Sequence, residues 1–327
     1  MLKTIFSLCL ISLVSMHASA VSIDLGAAGG YNIFVKENLS LNGTNSTGKI
    51  AAGGNASIDY AEIGTDWRGE NVLVVGGNLN VQGWASNTVK GSAYVGGTTS
   101  SNIPGYASNG IVPQNPIDFN AAFNQVSQLS TALAGLGNTG SIQNQHGGLK
   151  LLGASQDGLY VANYNIFNGA WEVDLGSLQS SDIIIFNIGG TNIDISGKGA
   201  NFFTSNNNFP LNNILFNFYE AESISIKNGD YFGSFLAPNA DISFGSATLK
   251  GQAIANSWAG EQGGVSFNSD ILFPGYNYNE GGLPGGNIEV PVPEAGAWLL
   301  ALMGVLSLYV LRRRRLGEAS VSQPQMA

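Results

Sequence analysis

The chain has 327 residues, with 13 Lys and Arg against 22 Asp and Glu, for a formal net charge of −9. Between residues 21 and 294 the imbalance is steeper, 8 basic against 21 acidic, or 8 − 21 = −13. That excludes the basic footprint nucleic acid requires and argues against docking on anionic lipid.

The first residues read as an export signal. Lys3 supplies a positive start, residues 5–14 an apolar run, and Ala18, Ser19 and Ala20 a small-residue cleavage site. Residues 1–20 are therefore expected to be removed by a signal peptidase after Ala20. Cys9, the single cysteine, lies inside the apolar run, so the exported part holds no disulfide. Its stability must come from burial and backbone hydrogen bonds.

From residue 21 the text is a series of short β runs broken by Gly and Asn. A loose repeat emerges: residues 50–58 are echoed by 73–81 and again by 93–97. The glycine pairs Gly53-Gly54, Gly76-Gly77 and Gly96-Gly97 recur every 20 to 23 residues. That period suits one coil of a β-solenoid, with the glycine pairs expected to supply tight corners and positive φ. An antiparallel sandwich with glycine-rich hairpins is the alternative.

Residues 118–136 break the pattern. Phe119, Ala122, Phe123, Val126, Leu129, Leu133 and Leu136 fall at helical spacing. Asp118 is placed to cap the N-terminus, and Gly137-Asn138 to end the helix. Short strands resume at 149–152, 158–161, 164–167 and 171–175. Ile183, Ile184, Ile185 and Phe186 form a continuous β-branched run, expected to be a strand buried on both faces. Residues 214–273 carry the clearest solenoid text, with strands of four to five residues separated by Gly, Asn and Pro. Residues 274–290, rich in Gly, Pro, Asn and Tyr, read as a flexible linker.

The tail has three parts: Val292, Pro293, Glu294 and Ala295; an uncharged apolar run over 295–311; and Arg312, Arg313, Arg314 and Arg315. About 17 apolar residues lie near the lower limit for a transmembrane helix, and the arginines would hold its C-terminus in the cytoplasm, with 316–327 as a cytoplasmic tail. A permanent single-span anchor is one reading. The tail also resembles the PEP-CTERM sorting signal of Gram-negative bacteria, with Ala295 where the usual motif has its second proline. The resemblance over 291–315 implies processing by an exosortase-type enzyme after transient anchoring in the inner membrane.

The body resembles a family as well. Residues 25–34, the Ala52-Gly53-Gly54-Asn55-Ala56 and Val75-Gly76-Gly77-Asn78-Leu79 echoes, and residues 231–238 look like the choice-of-anchor A domain, across residues 21–273. This resemblance implies an adhesive domain of bacterial surface proteins. Residues 232–244 are also similar to the coils of bacterial ice-binding β-helices that carry one long helix alongside. The expected fold is therefore mainly β, a right-handed parallel β-helix with one packed α-helix.

Catalytic chemistry finds little material. His146 is the one histidine beyond the signal, in a Gln-His-Gly-Gly context that reads as a solvated loop. There is no nucleophile-elbow sequence, His-x-x-x-His or cysteine cluster, which argues against Ser-His-Asp and zinc sites. Asp157, Asp174, Asp182 and Asp194 are the candidates for paired-carboxylate work, and no spacing singles them out. Trp67, Trp84, Trp171 and Trp258 are candidates for stacking on saccharide rings, or for the core. Calcium at the Asn228-Gly229-Asp230 turn has no motif behind it.

The sequence thus points to an exported adhesive or matrix protein without enzymatic activity or cofactor, with exopolysaccharide or surface glycans as partners. A polysaccharide-active enzyme or carbohydrate-binding module on a β-helix is the alternative. Ice binding ranks last, because the threonines are scattered instead of lying in regular rows.

Overall fold

The computed structural model describes residues 19–66, 69–82, 88–100, 107–145, 148–156, 158–164, 173–197, 209–260, 265–267, 272–273 and 289–292. Two short strands, Ser19–Ser22 and Glu289–Val292, pair with each other in a small unit, and the body comprises 22–288. The apolar segments expected at the two ends lie outside the described residues. Among the described residues no helix is long and apolar enough to cross a membrane.

The body is a stack of parallel strands. On one face the levels run, in space, 159–163, 183–187, 214–217, 234–237, 253–255, 33–35, 50–52, 73–75 and 93–95. Every pairing along this stack is parallel, which rejects the antiparallel sandwich. The spatial order is not the chain order. The first coils, from 33–35 to 93–95, build toward one end, and the later coils begin at the other end and return to the middle. There 253–255 pairs with 33–35, closing a stack whose adjoining members lie more than two hundred residues apart in the chain.

Along this face lies the helix α1, Phe119–Ala134, reaching from the level of 33–35 to that of 183–187. Asp118 caps it, its Oδ1 accepting from Ala121 N at 3.0 Å. From Phe119 to Leu133 the helix rises about 21 Å at 1.5 Å per residue. Phe119 stacks on Phe34 at 5.4 Å, and the Leu133 carbonyl accepts from Asn187. The levels of those two partners are four steps apart, about 19 Å at the strand spacing. The helix length thus matches the coils it must cross. It ends earlier than its apolar spacing predicts: Gly135 N–H bonds to the Ala132 and Thr131 carbonyls, tightening the last turn, so Leu136 is buried beyond the α-helix.

The covered strands are apolar at every position because both sides are dry. Ile33 and Val35 point into the solenoid core, while Phe34 points outward and packs on Phe119 and Phe123 at 5.4 and 5.3 Å. Ile183–Asn187 is buried throughout, as expected. Each aromatic fully removed from water contributes roughly 1.5–3 kcal/mol. At its C-terminal end α1 is fixed by a buried polar network. Asn217 Nδ2 donates to Asn187 Oδ1 at 2.8 Å and to Ser130 O at 2.9 Å. Ser130 Oγ donates to Asn217 Oδ1 at 2.6 Å, and Asn187 Nδ2 to Leu133 O at 2.8 Å.

The glycine pairs serve a purpose other than the one their composition predicts. None of Gly53, Gly54, Gly76, Gly77, Gly96 and Gly97 has positive φ. They allow close stacking: a Cβ on Gly76 would collide with the Gly53 carbonyl oxygen, and one on Gly96 with that of Gly76. Left-handed backbone sits at a different corner, where Asn228, Ser246, Gly43 and Tyr60 occupy equivalent positions in their coils with φ of 54°, 50°, 67° and 51°.

At the end where the later coils begin, Gly140–Gln145 and Gly148–Gly153 form an antiparallel hairpin, with Val173–Asp174 beside it. The sequence pattern shows the second hairpin strand and not the first. Tyr160 ties this hairpin to the stack, its hydroxyl donating to Ser141 O and Leu152 O at 2.9 and 3.1 Å.

Candidate binding surfaces

With one face of the solenoid under α1, two faces remain for solvent. The second face stacks 192–194, 223–227, 241–245, 257–259, 39–42, 56–59 and 79–82 in parallel. Alternation sends Ile224, Ile242, Trp258, Leu39, Ala56 and Leu79 inward, where they are buried. One residue further on, register aligns Asp194, Ser225, Ser243, Ala259, Ser40, Ser57 and Asn80 in a single outward rank. Such a rank repeats about every 4.8 Å. A neighbouring rank holds Asn192, Ser223, Asp241 and Ser257, linked sideways: Ser223 Oγ donates to Asn192 Oδ1 at 2.8 Å, and Ser257 Oγ to Asp241 Oδ1 at 2.6 Å.

An asparagine ladder borders this face. Asn38 Oδ1 accepts from Asn55 N at 2.9 Å, and Asn55 Oδ1 from Asn78 N at 2.8 Å. Asn78 Oδ1 accepts from both Thr98 N and Thr98 Oγ1. Each amide satisfies a backbone donor of the next coil, so the Asn that follows the first two glycine pairs, Asn55 and Asn78, is explained by corner geometry. The third face is shorter, with Asp230, Thr248, Asn45 and Glu62 in an outward rank. Both faces present small hydroxyls, amides and scattered carboxylates on a rigid lattice. They hold hydrogen-bonding capacity.

The individual candidates fall into structural roles. Trp258 is 1% exposed and stacks on Phe244 at 4.8 Å, so it is core and not a saccharide platform. Asp174 Oδ1 accepts from Gly176 N at 2.9 Å and its carboxylate pairs with Lys150 at 3.3 Å. The backbone hydrogen bond from Gly176, with Lys150 beside it, holds its carboxyl below the usual value. Asp182 Oδ2 accepts from Gln179 N at 2.7 Å and Asp194 Oδ1 from Ser196 N at 2.9 Å. Each carboxylate closes its own turn, and no reacting pair is formed from them. Asn228 turns a corner with left-handed backbone. Among the described residues no group of three or more His, Cys, Asp or Glu side chains gathers as a metal site.

His146, Asp157, Trp67, Trp84 and Trp171 lie outside the described residues, as do Ala18, Pro293, Glu294, Ala295 and Arg312 to Arg315. Ala20 and Val292 fall in the two short strands of the small unit.

Comparison with known proteins gives one family match, to a model described as "Putative Ice-binding-like adhesive domain", over residues 24–267. No curated protein matches the chain. Among solved structures, an ice-binding protein from an Antarctic biological consortium aligns at 17% identity and TM-score 0.40, covering 77% of this chain and 90% of that one. An ice-binding protein from the ascomycete Antarctomyces psychrotrophicus aligns at 16% identity and TM-score 0.38, covering 76% and 96%. An ice-binding protein domain from Shewanella frigidimarina aligns at 14% identity and TM-score 0.39, covering 77% and 96%.

Proposed function

The chain belongs to the ice-binding-like adhesive domain family, and from that premise we propose that it is an exported, non-catalytic adhesive protein of the cell surface or extracellular matrix. The observation that carries this reading is the family match across residues 24–267. It is supported by two solvent faces ranked with small polar side chains on a stack whose other face packs against α1 over its middle levels. A rigid, flat and repetitive surface presents many weak hydrogen-bonding groups at once, which suits attachment through multivalency.

Export begins with cleavage after Ala20 by a signal peptidase. Residues 274–290 serve as a linker, and residues 295–311 hold the folded body at the inner membrane through Arg312 to Arg315. An exosortase-type enzyme then processes the chain near Val292, Pro293, Glu294 and Ala295. The two flat faces, with Asp194, Asp241, Asp230 and Glu62 among their outward side chains, favour neutral or cation-bridged partners, with exopolysaccharide and surface glycans the natural class.

A strain lacking this protein, compared with one restored by the full chain, tests the reading. Restoration is expected to return attachment to surfaces and matrix retention. Equal attachment in both strains overturns it. Ice binding is the second reading, favoured by the family description; against it stand outward ranks of Ser, Asn and Asp in place of Thr on the second face.

A further inference from the structure

Besides its two flat faces the body has a recess of about 370 Å³ between α1 and the corner that leads off the covered face. Asn120, Asn124 and Ser127 form one wall, at helical spacings of four and three residues, on the polar flank beside the buried stripe of α1. Lys36, Asn256 and Asn239 form the other, one from each of three successive levels of the stack. Levels repeat about every 4.8 Å and helix turns about every 5.4 Å, so the two walls run side by side with closely matched periods. Phe123, 3% exposed, contributes to the lining between them.

Several of these groups are unengaged. Among the described residues, the side chains of Asn120, Asn124 and Asn239 have no hydrogen-bond partner, and Lys36 Nζ has no carboxylate within 4.0 Å. Asn256 is different: its Nδ2 donates to Asp241 Oδ1 at 2.8 Å, which fixes that amide against the corner. Primary amides both donate and accept, as a sugar hydroxyl requires. The ammonium of Lys36 adds one positive point in a body that is otherwise acidic. A concave site with a few convergent polar groups over an apolar floor is the ordinary form of a small-ligand pocket.

We propose that this recess binds a saccharide carrying carboxylates, a uronic-acid segment of a polymer, with Asn120, Asn124 and Asn239 on its hydroxyls and Lys36 on a carboxylate. The proposal deepens the adhesive reading and rests on it for its biological sense, while its chemistry is separable. The flat faces engage broad surfaces; the recess selects one class of chain and holds it along α1.

The test is calorimetric titration of the full-length protein with polygalacturonate oligosaccharides, and with dextran oligosaccharides as the neutral probe. The expected result is binding of polygalacturonate in preference to dextran. Asn120→Ala with Asn124→Ala is expected to weaken it about tenfold, and Lys36→Ala to abolish the preference and its salt dependence. Ser40→Ala, on the second face, is expected to bind as the parent does. All four side chains are exposed or half-exposed, and unchanged thermal unfolding of each variant shows that the fold is intact. Absence of binding by the parent, or equal binding by all variants, overturns the proposal. Loss of oligosaccharide binding in the Lys36→Ala strain with attachment retained leaves the adhesive reading standing and confines the recess to a separate role. Loss of both supports the two together, and oligosaccharide binding without any attachment phenotype overturns the adhesive reading alone.

Discussion

Gln252 and Tyr31 are 221 positions apart in the chain, yet Gln252 Nε2 donates to the Tyr31 carbonyl at 2.9 Å. The same amide donates to Gly29 O at 2.6 Å, and its Oε1 accepts from Phe273 N at 2.9 Å. Gln252 is fully buried, so one side chain satisfies three backbone groups where the first and last coils meet. Asn32 crosses the same seam, its Nδ2 donating to Gly251 O at 3.1 Å.

Gln252→Ala is therefore expected to strand two carbonyls and an N–H in a dry seam. A buried unsatisfied group costs about 1–3 kcal/mol, and partial relaxation brings the expected loss to about 3 kcal/mol. Equilibrium denaturation against the parent measures it. A loss below about 1 kcal/mol contradicts the role assigned to this side chain.

Asn217→Ala removes the centre of the network under the end of α1. The expected destabilisation is about 2–3 kcal/mol, since Asn187 Oδ1 and Ser130 lose their partner away from water. Hydrogen exchange should report it locally, with faster exchange in the last two turns of α1 than in residues 50–52.

Gly76→Ala and Gly137→Ala separate close packing from glycine content. At Gly76 a Cβ meets the backbone of Gly53, while at Gly137 nothing lies within 4 Å. The first substitution is expected to cost about 2 kcal/mol or more, and the second less than about 0.5 kcal/mol. Thermal melts of the two proteins side by side decide it.

Burial pushes the Tyr160 phenol from 10.0 to about 12. A raised folded value means the folded state favours the protonated phenol. The stability this confers is fully present below pH 10 and is lost as pH rises from 10 toward 12. Tyr160→Phe is expected to flatten the stability profile over that window while lowering stability at neutral pH, through loss of bonds to Ser141 and Leu152. Alkaline denaturation followed by circular dichroism provides the measurement.

The outward ranks bear on ice directly. The second face aligns Ser225, Ser243, Ser40 and Ser57 with Ala259 between them, and on the third face Glu62 lies beside Asn45. The full chain is expected to give no thermal hysteresis at concentrations where it supports attachment. A measurable freezing gap would favour the ice-binding reading.

The sequence displays what is local. Its 20- to 23-residue echo predicts that Ala51 lies beside Val74, and it does; the apolar stripe from Phe119 predicts a helix against a sheet. Hidden from it is the order of the stack, because the pairing of Phe34 with Ile254 carries no periodic signature across so long an interval. The strand Gly140–Gln145 escapes notice because its polar, largely exposed side chains show no apolar alternation. Trp258 is ambiguous as text, since an indole suits either a sugar platform or a core, and only the inward register of its strand decides. The recess is invisible for the same reason as the seam: its walls come from coils and a helix that the chain reaches far apart.

The closing of the stack by its last coil also bears on how the polypeptide folds. The strand at 33–35 is made early, yet the partner that covers one of its edges, 253–255, is made some two hundred residues later. Until the two meet, that edge offers unpaired amides and carbonyls, a template for another copy to capture. Contacts spanning most of the chain also make folding slow. The interval before that coil docks is therefore when two copies are most prone to pair with each other through their early coils.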